Sequence, residues 1–347
     1  MSDLNNNLRI YTDFVVRDLY EHTKGNLWLS QAMNNVVNNF DIKEGSYRAG
    51  DKIILESITD STIQNIDLTA TANPVVNDST FTKENYEVAL TEGFAGRFSF
   101  TSIDKQFQNY EREFGIDRQL FIENIDNVLM PKISGEISSL SIKILEAMQT
   151  SALLKLINTE TIGDNRVGAI ANSFTTSDLD SLYESIIDNP LGGSPSQYFL
   201  LASPDVITAL TSATNTALVR LDNPNSLTRM FTYNNIIIIE VPSYYFPQYS
   251  SLSTWDNPSV SGTNRVKAVL MHQDSLGVWN PEQKTLSTMQ RNLVEMNASY
   301  ENMNLLFTTS ADQSRFANIE STKVTSILGV SPIGTSSRII PILGGTA

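Results

Sequence analysis

The run His272-Gln273-Asp274-Ser275 places an imidazole, a carboxylate and a hydroxyl within four residues, the three groups that a hydrolytic triad uses. Neighbouring side chains in a strand point to opposite faces, so this spacing does not build a proton relay by itself. Asp178, Asp180 and Glu184 fall where one helix face could offer oxygens to a hard cation. No tight turn or further clustered ligand accompanies them, and a solvated helix face is the expectation. Gly192-Gly193 precedes an apolar run instead of leading from a strand into a helix, so it reads as a turn and not as a phosphate loop. No Gly-x-Ser-x-Gly elbow occurs. The chain has no cysteine and two histidines, His22 and His272. Disulfides, thiolate metal sites, cysteine nucleophiles and a multi-imidazole centre within one chain are thereby excluded. No catalytic, metal-binding or cofactor-binding residue is assigned and no cofactor is expected. An α/β hydrolytic enzyme built on residues 173–280 stands as the rival reading.

What remains is contact chemistry, and it depends on the elements that carry it. The 347 residues are 41% hydrophobic, enough for a substantial core. The 24 Lys and Arg against 38 Asp and Glu leave a net charge of −14, which repels phosphate backbones and argues against sequence-reading of DNA. Self-association of so acidic a chain must rest on shape and apolar contact. The polar start Met1-Ser2-Asp3-Leu4-Asn5 does not read as a secretory leader. The longest apolar cluster, Ile236 to Ile239, has strand length and not membrane-span length. Synthesis in a cytoplasm and no membrane partner are the expectations.

Residues 8–37 read as a helical arm in two pieces, with Leu8, Tyr11, Val15, Val16 and Leu19 on one face and Leu27, Trp28, Val36 and Val37 resuming after Gly25. The arm either lies on its own core or docks on a neighbour. Residues 47–101 carry strand formers at each end, Lys52-Ile53-Ile54-Leu55 and Tyr86-Glu87-Val88, around a Thr/Asn-rich middle. A stretch this long without regular pattern is unusual inside a compact domain. It is a projecting hairpin or a disordered insert, and the symmetric strand signals favour the hairpin. Gly93 and Gly96 read as a bulge or turn. Ile133, Ile137, Leu140, Ile144, Met148 and Ala152 form a helical stripe, and Pro131 is tolerated where it would open that helix. From Ser173 the texture is α/β. Ser177 to Asp180 fits a helix cap, Tyr198 to Leu201 a buried strand, Ser203-Pro204-Asp205 a helix start. Ile236 to Val241 and Val266 to Met271 are strands, the aromatic-rich stretch 242–264 is a surface loop, and Leu293 to Thr309 is extended.

This order of elements resembles the HK97-fold major capsid proteins of tailed bacteriophages. The residues that carry the likeness are Gly50-Asp51-Lys52-Ile53 and Phe98-Ser99-Phe100-Thr101 bounding the loop, Leu129-Met130-Pro131-Lys132 opening a spine helix, Tyr198 to Pro204, and Val269 to Ser275. The resemblance covers about residues 40–310. It implies an α+β, HK97-like capsid fold: an N-terminal arm (1–46), an extended β-hairpin loop (47–101), a peripheral domain with the spine helix (102–172), an α/β axial lobe (173–265), strands returning to the peripheral domain (266–310) and a C-terminal segment (311–347). It implies a non-enzymatic virion protein that assembles with itself, through hexamers and pentamers, into an icosahedral shell around double-stranded DNA held without sequence recognition. A separate scaffolding protein is implied because about forty residues precede the loop; portal and decoration proteins are further implied partners. Some relatives crosslink a loop lysine to a neighbour's asparagine, but no lysine occurs from Ser61 through Thr82. Encapsulin-like compartment shells share the fold.

Trp28, Phe81, Tyr86 and Arg97 are the expected assembly contacts, each large or charged in the arm or loop. Packing within the hairpin itself is the alternative for Phe81 and Tyr86. A third reading makes Tyr244 to Trp255 the recognition loop of a phage or cell-surface binding module.

Overall fold

The computed structural model describes residues 50–61, 81–101, 130–158, 167–170, 175–188, 194–212, 218–221, 229–250, 259, 262–283, 293–300, 303–313, 318–333 and 339–344. The N-terminal arm with Trp28, the loop tip 62–80, Gly192-Gly193 and Trp255 lie outside them.

The described chain opens with β1 (Lys52–Ser61) and β2 (Phe81–Ala89), an antiparallel pair that forms a two-stranded sheet of its own. β3 (Glu92–Thr101) follows, then a long helix, α1 (Met130–Leu156). Pro131 sits in the first turn of α1, where its missing N–H has no acceptor to lose. The helix runs about 40 Å. Ile137, Ile144, Met148 and Ala152 of the expected stripe are buried along it.

Next come β4 (Val167–Ile170), α2 (Thr176–Ile187), β5 (Tyr198–Ala202), α3 (Pro204–Ser212), β6 (Leu218–Arg220), β7 (Met230–Tyr233), β8 (Ile236–Glu240) and β9 (Gln248–Tyr249). They are followed by β10 (Asn264–His272), β11 (Leu276–Trp279), β12 (Leu293–Tyr300), β13 (Met303–Gln313), β14 (Asn318–Pro332) and β15 (Ile339–Gly344). One eight-stranded sheet has the order β4-β15-β10-β5-β8-β7-β6, with β9 paired to β10. The pairs β5/β8 and β4/β15 are parallel. A five-stranded sheet has β12, β13 and β14 in order, and both β3 and β11 pair with β14.

The apolar runs explain why the first sheet is buried on both faces, a situation that favours continuous hydrophobic strands over alternating ones. In β5, Tyr198, Leu200 and Ala202 pack with Leu179, Leu182 and Ile186 of α2 and Val206, Ile207 and Leu210 of α3. Phe199 and Leu201 turn the other way, into a core shared with α1 and the five-stranded sheet. α1 thus contributes to one core with both sheets.

The structure shifts several expectations. The α2 cap is Thr175, two residues before Ser177: its N–H and hydroxyl both donate to Asp178 Oδ2, at 2.6 and 2.7 Å. Gly93 and Gly96 lie in a continuous strand, since β3 keeps register with β14 from Glu92 to Thr101. Gly96 is required for packing: a β-carbon there would overlap the Leu140 side chain of α1. β3, which the sequence groups with the extended loop (47–101), pairs with β14, and its Phe94 and Phe98 pack on the α1 core. Leu293 to Thr309 is two strands of one hairpin. The C-terminal segment divides, β14 entering the five-stranded sheet and β15 the eight-stranded one. The stretch 242–264 is a surface loop only in part, because Tyr245, Phe246 and Tyr249 are buried in the main core.

Candidate assembly surface

A two-stranded ribbon is marginal in water without further packing, so its root determines whether it holds a direction. At that root Gly50 N–H donates to the Leu90 carbonyl (2.9 Å) and Leu90 N–H to the Asp51 carbonyl (2.8 Å). Val88 and Leu90 are buried against Trp279, with Ile53 and Ile327 alongside. Two glycines let the ribbon approach the body this closely. A β-carbon at Gly277 would meet the Val88 side chain at 2.8 Å, and one at Gly329 would meet the Ala89 carbonyl oxygen at 2.7 Å.

The chain just past the ribbon is clamped to α1. Lys155 Nζ bonds Glu92 Oε1 and Thr91 Oγ1, each at 2.8 Å, and Ser151 Oγ donates to Glu92 Oε2. Beyond this root neither β1 nor β2 gains a third strand among the described residues. Ile54 is 54% exposed. The Lys52–Glu87 pair (2.7 Å) bridges the two strands on the solvent side.

A second joint links α1 to the other sheet. In the 3-10 turn Ser243–Tyr245, Tyr244 OH donates to Glu146 Oε1 at 3.0 Å, and Gln149 Nε2 approaches Tyr245 OH at 3.5 Å. Burial raises both phenols above the ordinary tyrosine value, and the Glu146 charge adds to it. Both therefore stay neutral near neutral pH, Tyr244 as a donor to Glu146 and Tyr245 as an acceptor from Gln149. At the start of α3, burial pushes the Asp205 carboxyl up, but the hydrogen bonds from Lys267 (2.6 Å) and Ser203, with the Lys267 charge, outweigh it and leave the group below the usual carboxylate range.

The candidate chemistry does not assemble. Ser275 Oγ donates to the His272 carbonyl at 2.6 Å, which commits the hydroxyl to a turn. The His272 ring is buried edge-on to Tyr198, centroids 5.0 Å apart. Asp178 caps α2, and Asp180 accepts the Tyr233 hydroxyl. Among the described residues no group of three or more His, Cys, Asp and Glu is placed to hold a metal ion.

Of the four expected contact residues, Trp28 lies outside the described residues. Phe81 ends the described ribbon opposite Ser61, and Tyr86 is half-buried opposite Leu55. Arg97 is not on the ribbon: it is exposed on β3, opposite Lys323 of β14. Among the described residues, Phe81 and Tyr86 thus belong to the ribbon and Arg97 to the body. The contacts that sequence reasoning missed are the glycine and tryptophan seats of the root. Nothing local ties Trp279 to Val88, about 190 residues earlier. The β7–β8 hairpin had a readable signal: Asn234 and Asn235, at φ 46° and 69°, are residues that tolerate the left-handed region a two-residue turn demands.

No family model and no curated protein matches the sequence. Solved structures do. A chain of the Cyanophage A-1(L) capsid is 10% identical, with 93% of each chain covered and a TM-score of 0.55. Chains of the Cyanophage Pam1 capsid (13% identical, 86% of each chain, TM-score 0.48) and of the bacteriophage PhiM1 mature capsid (12%, 88% of this chain and 90% of that one, TM-score 0.45) also align. The first of these superposes closely enough to decide the architecture: the mixed helix-and-sheet fold of this chain is that of a phage capsid protein.

Proposed function

We propose that this chain is a shell subunit, a major capsid protein of HK97-like type that assembles through hexamers and pentamers into an icosahedral virion shell around double-stranded DNA. The observation that carries the reading is the likeness to the Cyanophage A-1(L) capsid chain over 93% of both chains. The ribbon supports it physically. β1 and β2 are held firmly at one end and lack a third strand among the described residues, the state expected of an element whose remaining partners come from another molecule. In this reading residues 1–46 are the arm, the ribbon with its tip is the extended loop, α1 is the spine, and the eight-stranded sheet with α2 and α3 is the axial lobe. Trp28, Phe81 and Tyr86 contact neighbouring copies, and Arg97 contributes from the body. A scaffolding protein, a portal and decoration proteins complete the partner set, and the subunit performs no catalysis. Many modest interfaces then close the lattice without any single tight site.

Negative-stain microscopy of the expressed protein, alone and with its scaffold, tests the proposal; closed shells of uniform diameter are expected. Removing residues 62–80 leaves the subunit with unchanged circular dichroism and melting temperature but no shells. Wild-type protein that stays monomeric with its scaffold, or a deletion variant that builds shells at full yield, overturns the reading.

A further inference from the structure

The outer face of the five-stranded sheet carries a charge arrangement that the described residues leave incomplete. Cross-strand register places Arg97 directly opposite Lys323, Lys323 opposite Thr308, and Thr308 opposite Glu295. Directly opposed residues of an antiparallel sheet share a face. That face is the one turned away from α1, because Gly96 on β3 meets Leu140. Two like charges directly opposite each other are unfavourable, and here both are exposed. Arg97 donates to the Ser321 hydroxyl at 3.0 Å. Among the described residues no carboxylate forms an ion pair with either cation. Glu295 stands two strands away, roughly 10 Å at ordinary strand spacing. The neighbouring row is neutral: Ser310, Ser321 and Ser99. On the edge strand, exposed Gly93 and Ala95 precede Arg97 and leave room for a backbone to lie close.

In a chain of net charge −14, two opposed cations without an ion-pair partner among the described residues are a local exception that an anionic partner would satisfy. The ribbon has the complementary sign. From Lys52 to Ala89 it holds two lysines against Glu56, Asp60, Asp67, Asp78, Glu84 and Glu87, a net charge of −4. One lysine, Lys52, is already spent on Glu87 at the root. The chain's own ribbon strands make no ion pair with Arg97 or Lys323 among the described residues.

We propose that Arg97 and Lys323 on one copy form the seat for the acidic ribbon of a second copy. This rests on the shell-subunit reading and adds the receiving surface and its chemistry: charge pairing at the seat supplies register and encounter rate, while apolar contacts supply the bulk of the affinity.

The test is a charge swap in full-length protein assembled with its scaffold. Reversing the seat (Arg97→Glu with Lys323→Glu) is expected to lower shell yield roughly tenfold or more, with the subunit's circular dichroism unchanged. Reversing the acidic pair that shares one face of the ribbon (Asp60→Lys with Glu84→Lys) does the same, and combining both reversals recovers most of the yield. Wild-type yield from the reversed seat, or no recovery in the combined variant, overturns the proposal. So do shells that form normally but retain less DNA, which would assign the pair to nucleic acid. Failure of the wild type to assemble at all would instead overturn the shell-subunit reading. The cysteine-free chain allows a second measurement that does not depend on the reversed variants folding. Subunits carrying Lys323→Cys, co-assembled with subunits carrying Glu84→Cys and treated with a short bismaleimide, are expected to give crosslinked dimers on denaturing gels. Shells that give no such dimers overturn the seat.

Discussion

Ser138 is 1% exposed on α1, yet among the described residues its Oγ has no hydrogen-bond partner. A buried hydroxyl without a partner costs about 1–3 kcal/mol, and serine is also a poorer helix former than alanine. Ser138→Ala is therefore expected to stabilise the subunit by about 1 kcal/mol, seen as a higher melting temperature by calorimetry. At this scale the sequence was least legible. Gly96, Gly277 and Gly329 have negative or unremarkable φ, and each is glycine because another element comes within reach of a β-carbon. Nothing in the neighbouring residues announces Leu140 above Gly96 or Ala89 beside Gly329. The same holds for Tyr245 and Tyr249: in the sequence they sit among Pro, Ser and Gly, and only tertiary packing draws them into the core.

At the scale of elements, periodicity was a sound guide wherever one element buried one face. The α1 stripe, the buried strand at Tyr198 to Leu201 and the Ile236 run lie where their patterns place them. A strand can continue the texture of its predecessor and still pair elsewhere. Glu92–Thr101 reads like the ribbon before it, but Phe94 and Phe98 belong to the α1 core. The ribbon's stiffness is decided at its root. Trp279→Ala removes the ring that packs on Val88 and Leu90, and is expected to cost about 3–5 kcal/mol. The accompanying signature is local: amide exchange at Gly50 to Ile54 and Val88 to Leu90 should accelerate more than in α2 or α3. Uniform acceleration across the subunit would show that the ring supports the whole body and not the root in particular.

For the whole molecule, the ribbon's amides should behave differently in the two states. In the free subunit a two-stranded sheet opens at low cost, so hydrogen exchange across Leu55 to Ser61 and Phe81 to Asn85 is expected to be fast. In assembled shells the same amides should be protected, while those of β5 and β10 stay slow in both. Equal protection in the two states would mean that the ribbon needs no neighbour. By itself the sequence determined the elements, since helical and strand periodicities are local properties of consecutive residues. It also determined the acidity of the chain and the absence of thiol chemistry. The tertiary structure alone decided that the C-terminal segment completes two different sheets, that Trp279 and two glycines socket the ribbon, and that Arg97 faces Lys323. These are relations between residues far apart along the chain, fixed by packing and register, and no local pattern of side chains encodes them.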